Sequence, residues 1–184
     1  MIRCYVTDRR RGGVVASAMR AIADGVDFIQ IREKDLPGRE LFELASTIRD
    51  LAEGSHTRVL INDRLDIALA ARLNGVHLPA NGLPAPCVRP LVSVLGVATH
   101  SVEEAIEAEK AHPDFIIFGP IFDTPGKTAV GLDALRKLTS SVHVPVLAIG
   151  GITPDEVPAL IEAGAAGYAA IRMFQVPVPC SGGL

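Results

Sequence analysis

Eight short apolar runs alternate with amphipathic segments along almost the whole chain, and this alternation restricts the available folds more than any other feature. The runs fall at 2–7, 27–32, 58–61, 75–78, 92–98, 114–119, 144–149 and 166–171. Segments with helical spacing fill most of the gaps, at 13–24, 38–53, 64–72, 101–111, 131–140 and 153–163. The proline-rich stretch 79–90 reads as loop with at most a short helix. A repeat of about 20–25 residues suits successive strand–helix units, and right-handed crossovers make such strands parallel. The pattern predicts a (β/α)₈ TIM barrel, with an open parallel sheet as the alternative. Ser101 with Glu104 and Thr153 with Glu156 fit capping boxes, and Pro154 suits a first helical position.

The last unit is incomplete. Beyond Phe174 the chain runs Gln-Val-Pro-Val-Pro-Cys-Ser-Gly-Gly-Leu, without a helical period. The expectation is one barrel domain over residues 1–174 and a tail over 175–184, without a regular eighth helix. The groove for that helix is then empty or covered by the tail or a partner chain. An uncovered apolar groove would favour association, which leaves a homo-oligomer possible.

With 48% hydrophobic but only 4% aromatic residues, the core must be built from Ala, Val, Ile and Leu. A net charge of −3 argues against a nucleic-acid or membrane-surface role. Arg9-Arg10-Arg11 reads as a solvated loop rather than a polyanion site, although it lies where a barrel's substrate loops would be. Cys4, Cys87 and Cys180 form no CxxC or Cys/His cluster, which points to reduced thiols. The N-terminus looks like a strand rather than a signal peptide, and there is no apolar span of about 20 residues, so a soluble cytoplasmic protein is expected.

The site of such a barrel lies at the C-terminal strand ends. Polar residues gather there: Gln30, Arg32 and Lys34, Asn62-Asp63, His77, Thr99-His100, Gly150-Gly151 and Arg172. On a period of two, Gln30, Arg32 and Lys34 share one side, as an anion clamp would. Gly150-Gly151 leads into a helix start and suits a phosphate, although a glycine pair also makes a plain turn. Lys127 lies in a loop with Thr124 and Thr128, where it is a charge for the site or an ordinary solvated lysine. His100 is either a general acid or base or a helix-start hydrogen-bonding group. His77, ending an apolar strand, reads as a satisfied core histidine. Asp63 suits a hard cation such as Mg²⁺, or a loop cap.

Taken in order, Gln-Ile-Arg-Glu-Lys (30–34), Ile-Asn-Asp-Arg-Leu-Asp-Ile-Ala-Leu (61–69), Gly-Val-His-Leu (75–78), Thr-His-Ser-Val-Glu-Glu-Ala (99–105), Gly-Pro-Ile-Phe-Asp-Thr-Pro-Gly-Lys (119–127), Val-Gly-Leu (130–132) and Ala-Ile-Gly-Gly-Ile (148–152) resemble the thiamine-phosphate synthase/TenI family of (β/α)₈ barrels. The resemblance covers roughly residues 2–172 and implies one of two chemistries. A synthase condenses a pyrimidine diphosphate with a thiazole phosphate and releases pyrophosphate, using Mg²⁺. Gln30, Arg32 and Lys34 would then hold pyrimidine and pyrophosphate, and Asn62 and Asp63 would serve pyrimidine and metal. Lys127 would neutralise the leaving group, and Thr124 and Gly151 would line the thiazole phosphate site. The TenI branch is a thiazole phosphate tautomerase that needs no metal and uses the histidine matched by His100.

Departures from the synthase pattern separate the two. Gly82 stands where a second metal-binding Asp is usual, Ala98 where a pyrophosphate-binding Ser is usual, and Gly126 replaces a threonine. Arg172 replaces a serine and either binds phosphate or blocks it. These departures favour the tautomerase, with His100 as acid/base, Gly150-Gly151 as phosphate seat and no cofactor. The alternatives are a Mg²⁺-dependent synthase and a non-catalytic phosphate-ligand binder.

Overall fold

The computed structural model describes residues 1–176, so residues 177–184 of the expected tail, with Cys180, lie outside the described residues. Eight parallel strands close into a barrel in chain order, which removes the open-sheet alternative. They are β1 (Ile2–Val6), β2 (Phe28–Ile31), β3 (Arg58–Asn62), β4 (Gly75–Leu78), β5 (Val94–Thr99), β6 (Phe115–Phe118), β7 (Val146–Ile149) and β8 (Gly167–Ala170). β8 pairs with β1 in the register Ile2↔Gly167 to Tyr5↔Ala170, which closes the ring. Helices α1 (Val14–Ala23), α2 (Gly38–Ala52), α3 (Leu65–Ala70), α4 (Ala85–Val88), α5 (Val102–Glu109), α6 (Gly131–Thr139) and α7 (Val157–Glu162) connect successive strands. None of the helices among the described residues is long and apolar enough to cross a membrane.

Strand alternation builds two apolar layers. Cys4, Val6, Leu60, Val94, Phe115, Ile117, Leu147 and Ala169 fill the barrel interior. The opposite faces, with Tyr5, Ile31, Ile61, Val76, Ile116 and Ala148, pack beneath the helices. Each helix contributes its own period; α2, for example, buries Leu41, Ala45, Ile48 and Ala52 along one stripe. Burying each Ile or Leu of these layers is worth about 1.5–3 kcal/mol, so both layers are needed to hold the strand ends still.

The helix starts differ in detail from the sequence reading. The Ser101 hydroxyl accepts the Glu104 N–H at 3.1 Å, but the Glu104 carboxylate reaches one residue further back, to the His100 N–H at 2.7 Å. The Glu156 carboxylate accepts the Thr153 N–H at 2.7 Å. Pro154 opens a 3-10 turn (Pro154–Glu156) rather than an α-helix, and α7 follows with six residues. After β8 no α-helix follows among the described residues; a 3-10 turn (Arg172–Phe174) buries Phe174 against Tyr5 and Tyr168. Gln175 and Val176 are then tied to the N-terminal part of the chain, by Gln175 Nε2 donating to the Asp8 carbonyl and the Val176 N–H donating to Ser17 Oγ.

Candidate active site

A cavity of about 760 Å³ opens at the C-terminal ends of the strands. That volume lies within the range of small-molecule sites, toward its upper end. Gln30, Arg32 and Lys34 line it from β2 and the loop after it, and Thr124 and Lys127 line it from the β6–α6 loop. Gly150, Gly151 and Arg172 form the wall at the ends of β7 and β8, and Asn62 and His100 complete it from β3 and β5. The structure thus brings together every predicted substrate-binding residue and His100.

The clamp is held by a residue that points away from it. β2 ends at Ile31, so strand hydrogen bonding does not fix Arg32 and Lys34. Glu33, between them, turns inward and is 5% exposed. Its carboxylate accepts the Thr7 hydroxyl at 2.6 Å and the Arg9 N–H at 3.1 Å. Thr7 Oγ1 in turn accepts the Arg32 N–H at 2.9 Å. Charge-assisted bonds of this kind are about twice as strong as neutral ones, so the alternation of the strand is carried past its end. Of the arginine run, Arg9 and Arg10 pair with Asp35 at 2.7 and 3.0 Å, and Arg11 pairs with Asp8 at 3.0 Å. Burial is slight at the Arg10–Asp35 pair, whose hydrogen bond raises the guanidinium pKa and lowers that of the carboxyl. Arg11 also lines the cavity, as the place of this run among a barrel's substrate loops allowed, although the run reads first as a solvated loop.

The glycine pair is dictated by packing as well as by any ligand. A Cβ on Gly150 would stand 2.3 Å from Pro120 Cβ, and one on Gly151 2.7 Å from Phe122 Cβ. Both residues also have positive φ, 98° and 68°. Their N–H groups donate to no backbone carbonyl among the described residues and remain able to receive an anion. The helix dipole invoked from sequence contributes little here, because the chain continues into a 3-10 turn and a six-residue helix.

Asp63 is exposed, has φ 67°, and is absent from the cavity wall. It does face Gly82: a Cβ there would lie 3.0 Å from Asp63 Oδ1. A carboxylate at position 82 would therefore adjoin Asp63, and glycine supplies none. No group of three or more His, Cys, Asp or Glu side chains able to hold a metal occurs among the described residues. The donor set does not build a resident magnesium site. One carboxylate fits only a Mg²⁺ ion that brings phosphate oxygens and water with it, since such ions commonly use one or two carboxylates plus substrate phosphates.

His77 departs from its sequence reading. It is 5% exposed, as expected, but neither ring nitrogen has a hydrogen-bond partner among the described residues, and the residue lines the cavity. Burial, with the nearby Arg32 charge, lowers its pKa to about 3, so the ring is neutral. A histidine at a strand's C-terminal end was the available signal; only its missing partners distinguish it from a core residue. Cys4 is a buried thiol, pushed up to about 12 by burial and by Asp27, and is inert; Cys87 is exposed and forms no disulfide among the described residues.

Residues 4–174 match the family model TMP-TENI, described as thiamine monophosphate synthase. A putative thiamine-phosphate synthase of Geobacter sulfurreducens is 45% identical, covering 90% of this chain and 83% of that protein. A thiamine-phosphate synthase of Moorella thermoacetica is 42% identical, covering 82% and 75%. Among solved structures, thiamine phosphate pyrophosphorylase from Pyrococcus furiosus superposes with a TM-score of 0.85 at 35% identity, over 92% of this chain and 85% of that one.

Proposed function

The chain belongs to the thiamine monophosphate synthase (TMP-TENI) family of thiamin-biosynthesis proteins, and from that premise we propose that it is a transferase joining a pyrimidine diphosphate to a thiazole phosphate. The observation that carries this reading is the presence of two anion-receptive walls in one cavity. Arg32, Lys34 and Lys127 make one, and the Gly150-Gly151 backbone with Arg172 makes the other. A tautomerase acting on one phosphorylated ring needs a single phosphate seat and leaves the clamp without a task. The names of the relatives support the same choice. This reverses the order expected from sequence, where the departures at Gly82, Ala98 and Arg172 favoured the isomerase.

In the proposed reaction the bond between the pyrimidine methylene carbon and the diphosphate oxygen breaks, and the diphosphate keeps the electron pair. The thiazole nitrogen lone pair forms the new C–N bond, giving thiamine phosphate and pyrophosphate. Arg32, Lys34 and Lys127 stabilise the charge that develops on the leaving oxygen. Gly150, Gly151 and Arg172 orient the thiazole phosphate, and Thr124, which lines the same cavity, adds a hydroxyl. Mg²⁺, if carried in on the diphosphate and held by Asp63, would supply further neutralisation of the leaving anion.

A second reading, thiazole phosphate tautomerisation with His100 as acid/base, is favoured by two observations. Gly82 withholds the second carboxylate, and His100 opens into the same cavity. One assay separates the readings. The transferase gives thiamine phosphate and equimolar pyrophosphate from the two phosphorylated rings at saturating Mg²⁺. Absence of product at saturating substrates and Mg²⁺ removes the transferase. Aromatisation of the thiazole tautomer phosphate by wild type, lost in His100→Ala, would then establish the isomerase.

A further inference from the structure

Thr99 ends β5 but is absent from the wall of the barrel cavity. By strand alternation Ala98 faces the interior, whereas Val97 and Thr99 face outward, toward α4 and α5. There they line a second cavity, of about 360 Å³, outside the barrel wall. That volume lies at the lower end of the range for small-molecule sites, and a stable protein interface needs a far wider surface. Pro79, Ala80 and Ala98 line both cavities and form the partition between them.

Leu78, Val97, Ala108 and Ala111 make the outer cavity apolar, with Pro84 and Pro86 beside them. Thr99 is 2% exposed, and its hydroxyl has no hydrogen-bond partner among the described residues. The neighbouring strand offers no side-chain partner, because the residue in register on β6 is Phe118. Unmade hydrogen bonds of buried groups are costly, and native chains keep few of them. An orphan hydroxyl adjoining a cavity therefore marks a place for a polar group of a ligand. The rim carries Glu104, Glu107 and Lys110. Lys110 pairs with Glu107, and the Glu104 carboxylate accepts the His100 N–H. Two carboxylates thus stand against one ammonium, which favours a cation and repels phosphates. The barrel mouth, with Arg32, Lys34, Lys127 and Arg172, has the opposite preference.

We infer that the outer cavity is a second ligand site, for a small aromatic cation that carries an ammonium group and a separate hydrogen-bonding group. The ring packs on the apolar walls, the ammonium meets Glu104 and Glu107, and the hydrogen-bonding group reaches Thr99 Oγ1. The site is independent of the reaction proposed for the barrel cavity, whose phosphorylated substrates the acidic rim excludes.

The test titrates the full chain with tyramine, phenethylamine and phenylpropionate, and reads backbone amide shifts by nuclear magnetic resonance. Tyramine is expected to shift the amides of Val97, Thr99 and α5 and to bind about fivefold more tightly than phenethylamine, which lacks the hydroxyl. Phenylpropionate, with the charge reversed, is expected to bind this cavity more weakly than phenethylamine. Thr99→Val keeps the shape of the side chain and should weaken tyramine about fivefold while changing phenethylamine less than twofold. Absence of binding, shifts confined to the barrel cavity, equal affinities for the three probes, or an unchanged tyramine affinity in Thr99→Val each overturn the inference. Should Thr99→Val not fold, the exposed Lys110→Gln decides with wild type: it should strengthen both amines and not the carboxylate, and no gain overturns the inference. These titrations need no turnover, so a failed condensation assay removes the transferase reading alone, and failed titrations remove the outer site alone.

Discussion

Acidification is expected to destabilise this protein through His77. In the folded chain its pKa is about 3, against 6.5 for the unperturbed side chain, because the buried ring cannot hold a charge beside Arg32. Between these values the unfolded chain binds a proton that the folded chain excludes. The contribution of neutral His77 is therefore present in full above pH 6.5 and is lost as the pH falls toward 3. The loss is about 1.4 kcal/mol per pH unit, or about 2.7 kcal/mol between pH 8 and 4.5. Urea unfolding of wild type and His77→Gln at these two pH values isolates the residue, since every other group titrates in both proteins. Wild type should lose about 2.7 kcal/mol more than the variant, a difference in midpoint on the order of 1 M urea. Parallel losses in the two proteins would refute the reasoning, because they would mean that the ring is protonated in the folded state or hydrated.

Three further outcomes are expected. Glu33→Gln removes the charge from the bonds to Thr7 and Arg9, and should cost about 2 kcal/mol, or about 4–8 °C in a thermal melt; an unchanged melting temperature would show that the network does not hold the clamp. Lys127→Ala should lower kcat of the condensation about 10²-fold or more while binding of thiazole phosphate stays near wild type, and a pure KM effect would remove the lysine from leaving-group stabilisation. Gly82→Asp places a second carboxylate beside Asp63; calorimetric Mg²⁺ titration should then show binding that wild type lacks without diphosphate, and identical titrations would mean that the two side chains do not converge.

The barrel was legible because its signal is local. Phe115-Ile-Ile-Phe118 is apolar on both faces, as a strand between an interior and a helix layer must be, and α2 repeats its buried residues at helical intervals. Most of the site was legible for the same reason: polar residues such as Gln30, Asn62 and His100 follow apolar strands, and in a parallel barrel those ends converge. Helix capping was legible only approximately. Glu104 binds the N–H of His100 rather than that of Ser101, and Pro154 opens a 3-10 turn, differences of one residue or one hydrogen bond that spacing alone does not resolve.

The sequence by itself determined the order of strands and helices and most of the residues at their C-terminal ends, because periodicity and punctuation act between near neighbours; closure of the barrel over an open sheet was decided by the pairing of β8 with β1. Only the tertiary structure decided what those residues meet. It turned Glu33 inward to brace the clamp, set Gly82 against Asp63, and left His77 buried without a partner among the described residues. Each of these depends on contacts between different strands and loops. The side chain facing a given group there is set by barrel closure and register, and no local pattern in the chain records it.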